Sequence, residues 1–147
     1  MINLIEQDTI RLLRECDAGI KMGVSAINDV LEYTENHELK SALLKSLEEH
    51  EKIKNNLLEL LNEYHDDGKE PSAMAKGMSW IKTNVKLAVN ESDDVVADLI
   101  TDGCNMGVKS LYKYLNQYKS ADEKSKNMAK KLISIEENLM ANMRKFL

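Results

Sequence analysis

Apolar residues recur at three- and four-residue spacing along four long stretches of this chain, the pattern of helices that bury one face. The first stripe is Ile5, Leu12, Leu13, Cys16, Ile20, Val24, Ile27 and Leu31, which predicts a helix over about residues 3–33. Leu39, Leu43, His50, Ile53, Leu57, Leu61 and Tyr64 predict a second over about 36–64. Val96, Ile100, Cys104, Val108, Leu111, Leu115 and Tyr118 mark a third over about 93–119, and Met128, Leu132, Ile135, Leu139, Met143 and Phe146 a fourth over about 121–146. Short turns at Thr34-Glu35-Asn36-His37 and Ser120-Ala121-Asp122 force each pair back on itself as an antiparallel hairpin.

Between the hairpins, Met74, Met78, Ile81, Val85 and Ala88 share one helical face and predict an added helix over 72–90. Gly68 suits the C-cap of the second helix, and Pro71 the first turn of the added one. That helix would reach roughly 25 Å, a length for a crossover along a bundle rather than for a tight turn.

The two hairpins repeat each other 84 positions apart. Gly19-x-x-x-Gly23-Val24 returns as Gly103-x-x-x-Gly107-Val108, Met22 matches Met106, Ile27 matches Leu111, Leu31 matches Leu115, and Lys40-Ser41 matches Lys124-Ser125. The chain therefore reads as all-α: a four-helix bundle of two similar hairpins, 3–64 and 93–147, joined by a bridging crossover helix in one domain over 1–147. A glycine inside a helix costs roughly 1 kcal/mol relative to alanine, so Gly19, Gly23, Gly103 and Gly107 need a reason. Close packing of the first helix on the third is the economical one. A ligand pocket beside the bare backbone and a subunit contact are the alternatives.

Composition narrows the class. One Pro and one Phe in 147 residues, with 31% charged side chains, favour long helices over sheet. Two cysteines are too few for a disulfide framework, and no apolar run is long enough to span a membrane. The N-terminus lacks the regions of a signal peptide, so a soluble, cytoplasmic protein is expected. The charge is uneven: residues 1–70 carry a net −8 within an overall −5. Such an acidic chain is a poor nucleic-acid binder. Lys119, Lys124, Lys126, Lys130 and Lys131 gather around the last turn as a solvated helix-end surface.

The best-known chemistry of four-helix bundles is a di-iron centre, built from a Glu on each of two helices and Glu-x-x-His on each of the other two. Here the histidines stand at 37, 50 and 65, and Thr34, Leu47 and Asn62 occupy the positions three residues before them. The first and third helices offer Cys16, Ile20, Ile100 and Cys104 where inward carboxylates are needed. No catalytic centre is expected. A reduced site remains conceivable: His50 sits mid-stripe, Glu136 lies near the matching stripe of the fourth helix, and Asp17 flanks the first. These three could hold one divalent ion, iron or manganese, although a core histidine is more often satisfied by a single carboxylate or carbonyl. Cys16 and Cys104 read as small buried hydrophobes rather than as a redox pair. Tyr112, Tyr114 and Tyr118 finish the core edge, and Trp80 with Met74 and Met78 suits either bundle packing or a subunit interface. No nucleophile–base pair, phosphate loop or Cys-x-x-Cys motif is present.

A Gly-rich first helix, a second helix, a bridging segment with Gly77-x-x-Trp80-Ile81-Lys82, and Asp93-Asp94 opening a third helix together resemble an uncharacterised bacterial family of the ferritin-like superfamily. The resemblance spans nearly the whole chain. It implies a ferritin-like four-helix bundle that associates with itself, and it brings no established activity. The wider superfamily's metal ligands do not transfer, because the chain departs from their pattern in all four bundle helices. The resulting expectation is a non-catalytic, self-associating or protein-interaction bundle, a homo-oligomer with a dimer favoured, contacting neither nucleic acid nor membrane and needing no cofactor. The rivals are a metal-binding or oxidoreductase bundle with a reduced site around His50, and a small-ligand binder at the glycine-lined seam between the first and third helices.

Overall fold

Three of the four bundle helices open on a side chain that accepts the first free backbone N–H groups. Asn3 accepts from Glu6, Asn36 from Glu38 and Leu39, and Asp122 from Ser125. In the computed structural model, which describes residues 3–71 and 92–147, these caps start α1 (Leu4–Leu31), α2 (His37–Glu63) and α4 (Glu123–Met143). The remaining helix, α3, runs Asp93–Gln117, with Asp93 and Asp94 in its first turn facing the positive end of the helix dipole. A single 3₁₀ turn, Arg144–Phe146, follows α4. Among the described residues the chain is all-helical, with no strand. The expected bridging helix over 72–90, with Met74, Met78 and Trp80, lies outside the described residues.

The end of α2 differs from expectation. His65, at φ 55°, takes the left-handed position, and the N–H groups of His65 and Asp66 return to the carbonyls of Asn62 and Leu61. This is the Schellman arrangement, completed without glycine. Gly68 is not the cap; it lies three residues further on, at φ 85°.

Hydrogen bonds at the two ends of the bundle fix the helix directions. The carboxylate of Asp93, at the start of α3, accepts the N–H groups of Glu35 and Asn36 in the α1–α2 turn, at 2.9 and 3.1 Å. At the other end, Asp8 and Thr9 near the start of α1 accept the N–H groups of Ser120 and Asp122 in the α3–α4 turn, both at 2.9 Å. So α1 and α4 run one way, and α2 and α3 the other. Thr9 and Asp93 are equivalent positions of the repeat, and each helix start holds the opposite hairpin's turn.

The core forms two clusters along the bundle axis. One gathers Leu12, Leu13, Ile20, Leu57, Leu61 and Leu132 near the start of α1. The other gathers Ile27, Val30, Leu39, Leu43, Ile100 and Met143 near its end. The predicted stripes supply most of both. Ile5 is the exception, 57% exposed, because it precedes the first level at which all four helices meet.

Candidate functional site

A polar layer separates the two core clusters. His50 comes from α2, between Leu43 of one cluster and Ile53 of the other, and Glu136 comes from α4, between Leu132 and Leu139. Their side chains meet: Nε2 of His50 stands 2.7 Å from Oε1 of Glu136. The other ring nitrogen, Nδ1, donates to the carbonyl of Ser46 one turn back, also at 2.7 Å. Burial is the largest single effect on this imidazole and opposes its charge. The Glu136 hydrogen bond and charge and the Ser46 carbonyl together outweigh it, and the pKa is raised. The contact with Glu136 thus favours the protonated ring, in which both nitrogens donate.

The repeated glycines frame this pair. A Cβ on Gly23 of α1 would stand 2.9 Å from Cδ2 and 3.0 Å from Nε2 of His50, and 3.5 Å from Oε1 of Glu136. A Cβ on Gly107 of α3, the matched position, would meet Oε2 of Glu136 at 3.6 Å. Any larger residue at 23 would displace the ring.

The other two glycines face space. A Cβ at Gly19 would just touch Leu132 at 3.9 Å, and at Gly103 no described atom lies within 4 Å. All four line a cavity of about 440 Å³ between α1 and α3. Among the described residues, the seam expected to be closely packed therefore leaves space beside Gly19 and Gly103. Ile27, Ile100, Leu111, Leu132 and Leu139 make its apolar wall, His50 and Glu136 its polar base. Met22 and Met106, matched in the repeat, also line it and stay 42% and 60% exposed, which puts them at the mouth.

Asp17, grouped with His50 and Glu136 on sequence grounds, is engaged elsewhere. Its buried carboxylate accepts from Lys21 at 2.8 Å and from the N–H of Lys69 at 3.0 Å. Glycine is required at position 68, where a Cβ would fall 2.2 Å from the same oxygen. Asp17 thus anchors the segment after α2, with Glu15 binding Lys69 at 2.5 Å and Lys21 binding Glu70 at 3.0 Å. The proposed metal trio is not assembled. Among the described residues no group of three or more His, Cys, Asp and Glu side chains is disposed to hold a metal ion.

Cys16 and Cys104 are free and buried in different clusters. Burial, reinforced by Glu15 and Asp17, pushes the Cys16 thiol up to about 12. Burial beside Glu136 raises Cys104 as well. Tyr114 and Tyr118 stack at 6.3 Å between ring centroids, half-buried against the first cluster, whereas Tyr112 is exposed. His50, Glu136 and the four glycines, singled out in the sequence for metal binding and for helix packing, all line the cavity, and so do Tyr114, expected at the core edge, and Glu15 and Lys69, which no sequence signal marked. The segment carrying Lys69 has no periodicity to read.

Comparison of the chain with protein-family models, with curated proteins and with solved structures gives no match.

Proposed function

We propose that this chain is a ferritin-like bundle that works by binding: the seam between α1 and α3 receives a small, largely apolar molecule over the His50–Glu136 pair. The observation that carries this is the cavity of about 440 Å³, within the size range of small-molecule sites and similarly walled by apolar side chains around a few polar groups. The parallel course of α2 and α3 supports ferritin-like connectivity, since only a long crossover joins helices so disposed. A pair already satisfied by its own hydrogen bonds argues for a binding role over iron or manganese chemistry at His50. Self-association as a dimer is compatible with this reading, with Leu44 and Leu58 exposed two heptads apart on α2.

The test is calorimetric titration with phenylbutanol, an uncharged probe, against the natural chain and a Gly103→Leu variant that fills the cavity. Saturable binding lost in the folded variant is the expected result. No binding to the natural chain, or equal binding to both, would overturn the proposal.

A further inference from the structure

We infer that the seam selects ligands carrying a protonated amine on an apolar body, received by the carboxylate of Glu136, and rejects carboxylic acids of the same shape. This rests on the ligand-binding reading and adds the chemistry of the ligand's polar group.

The base of the cavity offers an acceptor and withholds its donors. Both ring nitrogens of His50 are spent, on Ser46 and on Glu136, and the ring has no exposed surface. Glu136 keeps 11% of its side chain exposed, so the pair shows the cavity its carboxylate end. Oε1 faces His50, while Oε2 lies toward Gly107, which carries no side chain to cover it; the Cys104 thiol also hydrogen-bonds this carboxylate, and all three residues line the cavity. The backbone beside it cannot donate, because α1 and α3 are in mid-helix there and their N–H groups are used within the helices.

The described rim adds carboxylates, two of them already in ion pairs, Glu15 with Lys69 and Glu70 with Lys21. Of the described residues lining the cavity, Glu15, Asp29, Glu70 and Glu136 are carboxylates and Lys69 is the one lysine. Lys69 is itself bound to Glu15. Ser25 and Ser110 add neutral hydroxyls. Among the described residues a carboxylate ligand, bringing a charge out of water, would find no free cation to meet it. An ammonium group would gain a charge-assisted hydrogen bond to Oε2. The apolar body would rest on Leu111, Leu132 and Leu139, with Met22 and Met106 adapting at the mouth.

The experiment compares phenylbutylamine, phenylbutanol and phenylbutanoate by calorimetry at neutral pH, while the carbon-13 shift of the Glu136 carboxyl is followed by NMR. The expected order is amine, then alcohol, then acid, with the amine at least about tenfold tighter than the alcohol. The carboxyl shift should move with the amine and much less with the alcohol, and Glu136→Gln should bring the amine down to the alcohol's affinity. If the acid binds as well as the amine, or the amine binds without moving the carboxyl, this inference fails while the binding role stands. If none of the three binds, the binding role fails and takes the inference with it.

Discussion

The backbone of Gly23 lies so near the ring of His50 that a single added methyl would stand 2.9 Å from Cδ2. Glycine here is a steric requirement of the neighbouring side chain, whereas at Gly103 the described surroundings would admit a methyl freely. Gly23→Ala is therefore expected to destabilise the fold by about 1–3 kcal/mol through overpacking, despite the gain in helix propensity. Gly103→Ala should stabilise it by about 0.5–1 kcal/mol. Urea unfolding of the two variants checks the contrast, and equal effects would refute it.

The His50–Glu136 pair predicts a pH dependence whose sign follows from the raised imidazole. Burial works against the charge, but the Glu136 carboxylate and the Ser46 carbonyl outweigh it, so the folded chain holds this proton more tightly than the unfolded one. The pair's contribution is complete below the ordinary imidazole value of 6.5 and is lost as pH rises through the higher folded value. Unfolding midpoints in urea should fall across that window in the natural chain. A His50→Gln variant should lack this component, and ring nitrogen-15 shifts locate the titration directly.

Asp17 and Gly68 should be energetically coupled. Asp17→Ala removes the partner of Lys21 and of the Lys69 N–H and is expected to cost about 2–3 kcal/mol. Gly68→Ala meets both the positive φ and the Asp17 oxygen, so part of its penalty should vanish once residue 17 is alanine. A double-mutant cycle by chemical denaturation measures the coupling. Strict additivity would show that the two act apart.

Neither thiol should react in the native chain. Cys16 is fully buried and raised to about 12, and Cys104 is raised by burial beside Glu136. Modification by an aromatic disulfide reagent should proceed only as fast as the chain unfolds. Fast labelling of Cys104 alone, which lines the cavity, would mean that the reagent reaches it through the seam.

The helices were legible in the sequence because an amphipathic stripe is a local signal, and His50 declared itself by interrupting one. Its partner was harder. Glu136 is 86 positions away, and only the packed bundle sets their 2.7 Å contact. Asp17 misled because a residue flanking a stripe can turn either to the core or to whatever chain covers the helix. Here the aperiodic segment after α2 claims it. The glycines marked a bare strip on two helices, but spacing alone cannot distinguish a strip that admits a backbone from one that borders a void. Ile5 obeyed the periodicity and still faces solvent, since periodicity carries no information about where a bundle ends.

The crossed grips at the two ends, Asp93 on the turn of the first hairpin and Asp8 with Thr9 on the turn of the second, are alike in kind though not residue for residue. Each hairpin is therefore held by a helix start of the other, once at each end of the bundle. Drawing the hairpins apart would break both grips at once, so neither end can loosen into separate hairpins while the other stays closed.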